Sequence, residues 1–289
     1  MELIKKIGKT PMVNISHKLY AKAELLNPTG SIKDRPASWI VSFGGFDGDE
    51  NNTICEATSG NMGVSFAWLA ATLGCKCVIV MPSNMSEERK KTLEFYGAEL
   101  IEVEAGNFDA AIELRDKLCK ENGWFNCNQF ANHWNVEAHN MTTAVEILDW
   151  AAENRKQISA VVTGTGTGGT LMGCHKRLKP QFPKIKMVAV EPEESAVMSG
   201  GEPGIHGIQG IGDGSKFLVN MDCVDYISVI STEDAKQRAR ELAKTHGYFV
   251  GISAGANILA AERFIEETKP EGDVVTFLCD RGDRYFSCL

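Results

Sequence analysis

Asn27-Pro28-Thr29-Gly30-Ser31-Ile32-Lys33-Asp34-Arg35-Pro36 is the stretch on which the reading of this chain turns. Pro28 and Gly30 mark a turn, and Ser31 reads as the N-cap of a helix that opens just ahead of an apolar run. Lys33 then stands at a helix start. The helix macrodipole favours anions there, so a lysine is electrostatically misplaced, and the placement favours its neutral, nucleophilic amine. Taken alone, the turn also fits an ordinary solvated surface lysine.

Three glycine-rich segments change that balance. Glu56-Ala57-Thr58-Ser59-Gly60-Asn61-Met62-Gly63 follows the β-like run Thr53-Ile54-Cys55 and precedes a helical stretch over 64–73. Gly164-Thr165-Gly166-Thr167-Gly168-Gly169-Thr170 follows a buried-strand pattern over 158–162 and leads into Leu171-Met172. Gly251-Ile252-Ser253-Ala254-Gly255-Ala256 opens another helix. A polar loop running into a helix start aims backbone N–H groups at an anion. Thr58, Ser59 and Asn61 suit a carboxylate, whereas a segment built only of Gly and Thr suits a phosphate. One such loop is weak, because glycine also serves tight turns and close packing. Three of them beside an awkward lysine form a pattern.

With these segments in view, the chain resembles the fold-type II pyridoxal-phosphate enzymes of the cysteine synthase group, which includes cystathionine β-synthase and the tryptophan synthase β chain. The resemblance runs from Ile7-Gly8-Lys9-Thr10-Pro11 to Asp283-Arg284-Tyr285. It is carried by Ser31-Ile32-Lys33-Asp34-Arg35, Thr58-Ser59-Gly60-Asn61, Gly166-Thr167-Gly168-Gly169-Thr170 and Gly251-Ile252-Ser253-Ala254-Gly255. The segment 27–37 is similar to cysteine synthases that use O-phosphoserine, and Cys279-Asp280-Arg281-Gly282-Asp283-Arg284-Tyr285 is similar to the cysteine synthase B type. The resemblance implies two three-layer α/β domains of tryptophan synthase β-like architecture, with pyridoxal 5'-phosphate between them. It implies a small domain over 1–137, whose first strands cross to the second domain, and a domain over 138–289 that carries the phosphate cradle. A homodimer is implied as well.

The family pattern assigns roles residue by residue. The equivalent of Lys33 holds the cofactor as a Schiff base and then serves as general base, with the ring as electron sink. Asn61 would bond the ring hydroxyl. Thr58, Ser59, Gly60 and Met62 form the substrate loop, and Gln129 matches a second carboxylate-binding position. Met62 stands where the family usually has a threonine, which removes one hydroxyl. Gly166, Thr167, Gly168, Gly169 and Thr170 would cradle the phosphate. Ser253 would meet the pyridine nitrogen, although a serine near a helix start also reads as a cap. The implied reaction is a β-replacement that forms L-cysteine from an O-activated L-serine and sulfide. The alternative is a cysteine lyase that releases hydrogen sulfide from L-cysteine and leaves serine or lanthionine.

Asp213, in Gly207-Ile208-Gln209-Gly210-Ile211-Gly212-Asp213-Gly214, departs from the small apolar residue common at that place. A carboxylate there could activate water or a thiol as a catalytic base. It also reads as an Asp-Gly turn in solvent. Gln209 stands where users of O-phosphoserine carry an arginine, with Arg281 and Lys216 as possible substitutes. His133, His139 and His206 read as surface or loop histidines. A rival cofactor class must be weighed, since Gly164-Thr165-Gly166-Thr167-Gly168-Gly169 satisfies G-x-G-x-x-G and Glu191 ends the next strand. That reading leaves Lys33 and the Thr58 loop without a purpose.

Composition bounds these readings. The 289 residues are 43% hydrophobic and 24% charged, a soluble globular balance long enough for a real core. A net charge of −8 gives no support to nucleic-acid binding. No apolar run is long enough to span a membrane, and Met1-Glu2-Leu3-Ile4-Lys5-Lys6 is no signal peptide, so a cytoplasmic setting is expected. The nine cysteines lack a framework spacing. Cys75 and Cys77 share one side of an expected strand, with no His or Cys at ligand spacing, so they read as small buried hydrophobes and no metal is expected.

Strand and helix patterns alternate along the chain, which argues for parallel sheets covered on both faces. Strands are expected over 75–80, 100–103, 187–190, 226–230 and 274–279. Helices are expected over 87–96 (opened by Ser83-Asn84-Met85-Ser86), 108–121, 136–153 and 232–246. The stretches 43–52 and 195–216 read as loops.

Overall fold

Runs of Val, Ile and Cys flanked by amphipathic helices build two sheets, which is how parallel strands buried on both faces look in sequence. The structure is a computed structural model that describes residues 2–49, 52–58, 60–85 and 87–289. In chain order the elements are β1 (Met12–Ser16), β2 (Leu19–Lys22), α1 (Asp34–Phe43), β3 (Thr53–Ala57), α2 (Asn61–Leu73), β4 (Lys76–Pro82) and α3 (Glu87–Phe95). Then come β5 (Glu99–Val103), α4 (Phe108–Asn122), β6 (Phe125–Asn126), α5 (Trp134–Ala138), a π-helical turn (His139–Thr143) and α6 (Ala144–Glu153). The chain closes with β7 (Ile158–Gly164), α7 (Gly169–Leu178), β8 (Lys186–Pro192), β9 (Tyr226–Ile230), α8 (Thr232–His246), α9 (Ile252–Thr268) and β10 (Asp273–Phe277). Ser86, expected to help open α3, lies outside the described residues.

The chain divides into two compact units. One comprises the segment ending at Ile7 together with Lys33–Asn135, and the other comprises Gly8–Ile32 with Val136–Leu289. The first holds a parallel sheet in the order β5-β4-β3-β6. Strand alternation sorts its side chains. Ile54, Cys77, Ile79 and Met81 face α1 and α2, while Cys55, Ala57, Val78 and Val80 face Ala111 and Cys119 of α4. Cys77 is part of the first cluster and Cys75 packs on its edge, and burial pushes both thiols up, as expected of inert core cysteines. The second unit holds the order β1-β2-β10-β7-β8-β9, in which only the edge pair β1–β2 is antiparallel. Along β8, Val188 and Val190 join a cluster with α8 and α9, and Met187 and Ala189 join one with α6 and α7.

Three expectations are corrected. Ser31 does not cap α1. It is fully buried and forms a β-bridge with Asp280, while Lys33 is the N-cap position and the helix begins at Asp34. The helix expected over 136–153 is interrupted by the π-helical turn. His139 within that turn is 1% exposed rather than a surface residue, whereas His133 is exposed and His206 is half-buried in its loop.

The second unit secures its N-terminal segment by a buried charge network. Lys22 is fully buried. Its Nζ lies 2.6 Å from Glu146 Oε2 and 3.8 Å from Glu24 Oε1, and it also donates to Thr10. Thr10 and Asn27 donate to the two Glu24 oxygens at 2.6 and 2.7 Å. The Lys9 N–H donates to Glu146 at 2.9 Å. Lys22→Met removes the cation that sits between Glu24 and Glu146, so unfolding free energy should fall by about 3–5 kcal/mol. Urea denaturation checks this, and adding Glu146→Gln should restore part of the loss.

Candidate active site

Helix starts are of two kinds, some capped by a side chain and others left open. Asn107 caps α4 and Ser231 caps α8 through their side chains. By contrast α2, α7 and α9 open at Gly60, Gly168 and Gly251, with no side-chain cap and no acidic residue in the first turn. Such starts leave N–H groups and the positive end of the macrodipole for an anion. All three are the glycine-rich segments singled out from sequence.

In the first unit, Lys33 stands at the start of α1. The next residue, Asp34, is buried, and its Oδ1 accepts the Ser65 hydroxyl at 2.6 Å. That hydroxyl also lies 3.1 Å from the carbonyl of Asn61. Ser65 therefore ties the start of α1 to the start of α2, and so Lys33 to Asn61. Thr58 is buried; its N–H reaches Val80 O at 3.1 Å and its Oγ1 accepts the Gly60 N–H at 3.3 Å. Ser59 lies outside the described residues. Met62 is 1% exposed and belongs to the apolar cluster beneath α2, so its side chain serves the core.

Gln129 reaches the same region through a residue that the sequence did not single out. Glu56, fully buried at the end of β3, accepts the Ala57 N–H at 2.8 Å, the Gln129 N–H at 2.9 Å and Arg115 Nη1 at 2.8 Å. Burial pushes the Glu56 carboxyl up, and Arg115 and the two N–H groups oppose that. This carboxylate links the Thr58 loop to Gln129. The available signal was a charged residue at the end of an otherwise apolar strand, but its partner Arg115 is 59 residues away.

In the second unit, the loop 165–168 is braced from behind. Gly212 N–H donates to Thr165 O at 2.9 Å, and Leu218 N–H donates to Thr167 O at 3.1 Å. Gly168 has φ +87°, and a Cβ there would lie 2.4 Å from Val219 Cγ2, so no other residue fits that position. Gly169 and Thr170 form the first turn of α7, and the Thr170 hydroxyl lies 3.3 Å from His139 Nε2. An uncapped glycine start with threonine hydroxyls and no carboxylate in the helix's first turn fits a phosphate group. Ser253 is 5% exposed inside the first turn of α9. The N-cap is Gly251, so Ser253 is not the cap.

Asp213 is exposed, yet it is turned toward Gly166. A Cβ built on Gly166 would lie 3.1 Å from Asp213 Oδ2 and 2.7 Å from Gly210 O. Glu191, which the dinucleotide reading needs free, accepts the Met198 and Ser199 N–H groups at 2.7 and 2.9 Å, and also the Ser199 hydroxyl. It is committed to holding its own loop. Gln209 Nε2 lies 3.8 Å from Cys288 Sγ. Arg281 packs on Gly30 and donates to Leu25 O at 3.2 Å, and Lys216 is exposed.

The pyridoxal-phosphate dependent enzyme family matches residues 3–280. The chain belongs to this family. Pyridoxal phosphate is its cofactor, and the fold is the fold-type II architecture of the cysteine synthases. A cysteine synthase of Staphylococcus aureus (strain Mu50 / ATCC 700699) is 40% identical over 294 residues, which span 97% of this chain and 94% of the relative. Among solved structures, a cysteine synthase of Entamoeba histolytica matches with TM-score 0.90 at 37% identity, covering 99% of this chain and 89% of that one. A hydrogen sulfide-producing enzyme of Fusobacterium nucleatum matches with TM-score 0.94 at 36% identity, covering 99% and 90%. An Asp→Asn mutant of that enzyme has been solved with an α-aminoacrylate intermediate.

For this pyridoxal-phosphate enzyme the role expected of Ser253 at the ring nitrogen has a direct check. A neutral hydroxyl on the ring nitrogen is worth roughly 0.5–1.5 kcal/mol. Ser253→Ala should therefore change cofactor affinity or rate about 10-fold or less while the fold is kept. Fluorescence titration of the apo protein measures it. A loss as large as that from removing Lys33 would contradict the role.

Proposed function

We propose that the protein forms L-cysteine by β-replacement on an O-activated L-serine with sulfide. The observation that carries this reading is Lys33 at the start of α1, joined through Asp34 and Ser65 to the Asn61 loop, in a chain similar over nearly its whole length to cysteine synthases. Pyridoxal phosphate, when bound, supplies the electron sink that makes the amino acid's α-proton acidic. The chain supplies the rest. Thr58 and Gln129, with the start of α2, hold the substrate carboxylate. Asn61 bonds the ring hydroxyl, Gly166–Thr170 bind the phosphate, and Ser253 meets the ring nitrogen. The Lys33 amine takes the α-proton, the β-leaving group departs, and sulfide takes its place at the β-carbon.

A second reading is favoured by one observation, the Asp213 carboxylate beside Gly166. In it, cysteine and water give serine and hydrogen sulfide, with Asp213 as base toward the water. The relative that produces hydrogen sulfide, and its aspartate mutant that holds an intermediate, support keeping this reading. Rapid mixing with O-acetylserine, O-phosphoserine, serine and cysteine, each with and without sulfide, ranks the two. Faster cysteine formation from an O-activated serine supports synthesis, and faster sulfide release from cysteine supports the lyase. No helix among the described residues is long and apolar enough to cross a membrane. A cytoplasmic homodimer is the setting that the resemblance implies, and sedimentation analysis tests the dimer.

A further inference from the structure

We propose that His139 is a positioning residue for the cofactor phosphate, one that turns the Thr170 hydroxyl into a hydrogen-bond donor toward the cradle. The inference rests on the assignment of Gly166–Thr170 as the phosphate site. It starts from the placement of the imidazole. His139 is 1% exposed, and each ring nitrogen meets a hydroxyl: Nδ1 lies 2.8 Å from Thr143 Oγ1, and Nε2 lies 3.3 Å from Thr170 Oγ1. Thr143 is itself fully buried.

The local backbone is built for this contact. His139 and Thr143 are the two ends of the π-helical turn between α5 and α6, a rare geometry that is frequent at functional sites. Helix α7 approaches that turn closely. A Cβ at Gly173 would lie 2.5 Å from His139 Cβ and 2.6 Å from Val136 O. Thr170 and Gly173 are three residues apart and therefore share one face of α7. The glycine lets the helices meet, and the threonine beside it then reaches the ring.

Hydrogen-bond accounting sets the direction. A neutral imidazole offers one donor and one acceptor, and a hydroxyl has a single proton. If Nδ1 carried the ring proton, Nε2 could only accept, and Thr170 would spend its proton on the ring. The phosphate would then lose a donor. If Nε2 carries the proton, it donates to Thr170 Oγ1, and the Thr170 proton is left for the anion. Nδ1 then accepts from Thr143. The arrangement is a directed chain from Thr143 through His139 to Thr170 and on to phosphate, and its partners fix the tautomer.

The test measures dissociation constants of the apo protein for pyridoxal phosphate and for pyridoxal, which lacks the phosphate. His139→Leu removes the ring that holds the Thr170 hydroxyl aimed at the phosphate, so it should weaken pyridoxal phosphate about 10-fold and leave pyridoxal unchanged. His139→Gln, which keeps an N–H donor, should recover most of the affinity. In a Thr170→Ala background, His139→Leu should cost nothing further. Equal losses for both ligands, or equal losses in both backgrounds, would overturn the proposal in favour of a packing role. Should His139→Leu fail to fold, ¹⁵N spectra of the wild-type holoenzyme decide. A neutral ring protonated at Nε2 supports the proposal, and protonation at Nδ1 or at both nitrogens overturns it. Unchanged phosphate-dependent affinity in Thr170→Ala alone would instead remove the cradle assignment on which the proposal rests.

Discussion

Lys33→Ala should abolish turnover and leave the cofactor bound. The lysine is assigned both the covalent attachment of the cofactor and the proton transfer at the α-carbon. Loss of a general base alone costs roughly 10²–10⁴-fold, and loss of the covalent role adds to it. The phosphate determinants proposed at the start of α7 are untouched, so equilibrium dialysis should still find cofactor on the variant. The absorbance band of lysine-bound cofactor should be replaced by that of the free aldehyde. The fold should survive, because alanine is a good helix former at the start of α1. Normal turnover by this variant would sink the assignment of the whole site, not only of this residue.

The sequence was legible where the physics is local. Parallel strands buried on both faces appear as runs such as Val78-Ile79-Val80, and α8 announces itself by Ser231 before it and Gly247 after it. Glycine-rich helix starts were legible for the same reason, since the special backbone and the missing cap are written within a few residues. What failed was decided by partners far along the chain. Ser31 looks like a cap, but its neighbour in space is Asp280, and strand-like pairing overrode the local signal. A π-helical turn leaves almost the same apolar spacing as an α-helix, so 136–153 read as one helix. The burial of His139 follows from α7, whose Thr170 is 31 residues away. Glu56 and Arg115 likewise make sense only once β3 and α4 are packed together. Met62 stands where the resemblance leads one to expect a threonine, and its position in the first turn of α2 turns the side chain into the core.

Asp213→Asn should separate the two reactions open to this site. The carboxylate stands beside Gly166, 3.1 Å from the place of a Cβ there, although it is open to solvent. Its charge would oppose an approaching hydrosulfide anion, and its oxygen can take a proton from water. With the carboxylate acting as base, wild-type protein should release sulfide from cysteine and form serine. The asparagine variant keeps the shape and loses the base, so steady-state sulfide release should fall roughly 10²–10⁴-fold. Loss of the α-proton and of the β-thiol does not need Asp213. Mixing the variant with cysteine should therefore still change the visible spectrum and give one burst of sulfide per site, and the changed spectrum should persist. Removal of the repelling charge should leave cysteine formation from an O-activated serine intact or faster. Unchanged sulfide release would reduce Asp213 to a turn residue and take away the structural support for the lyase reading, leaving synthesis as the reaction that this geometry serves.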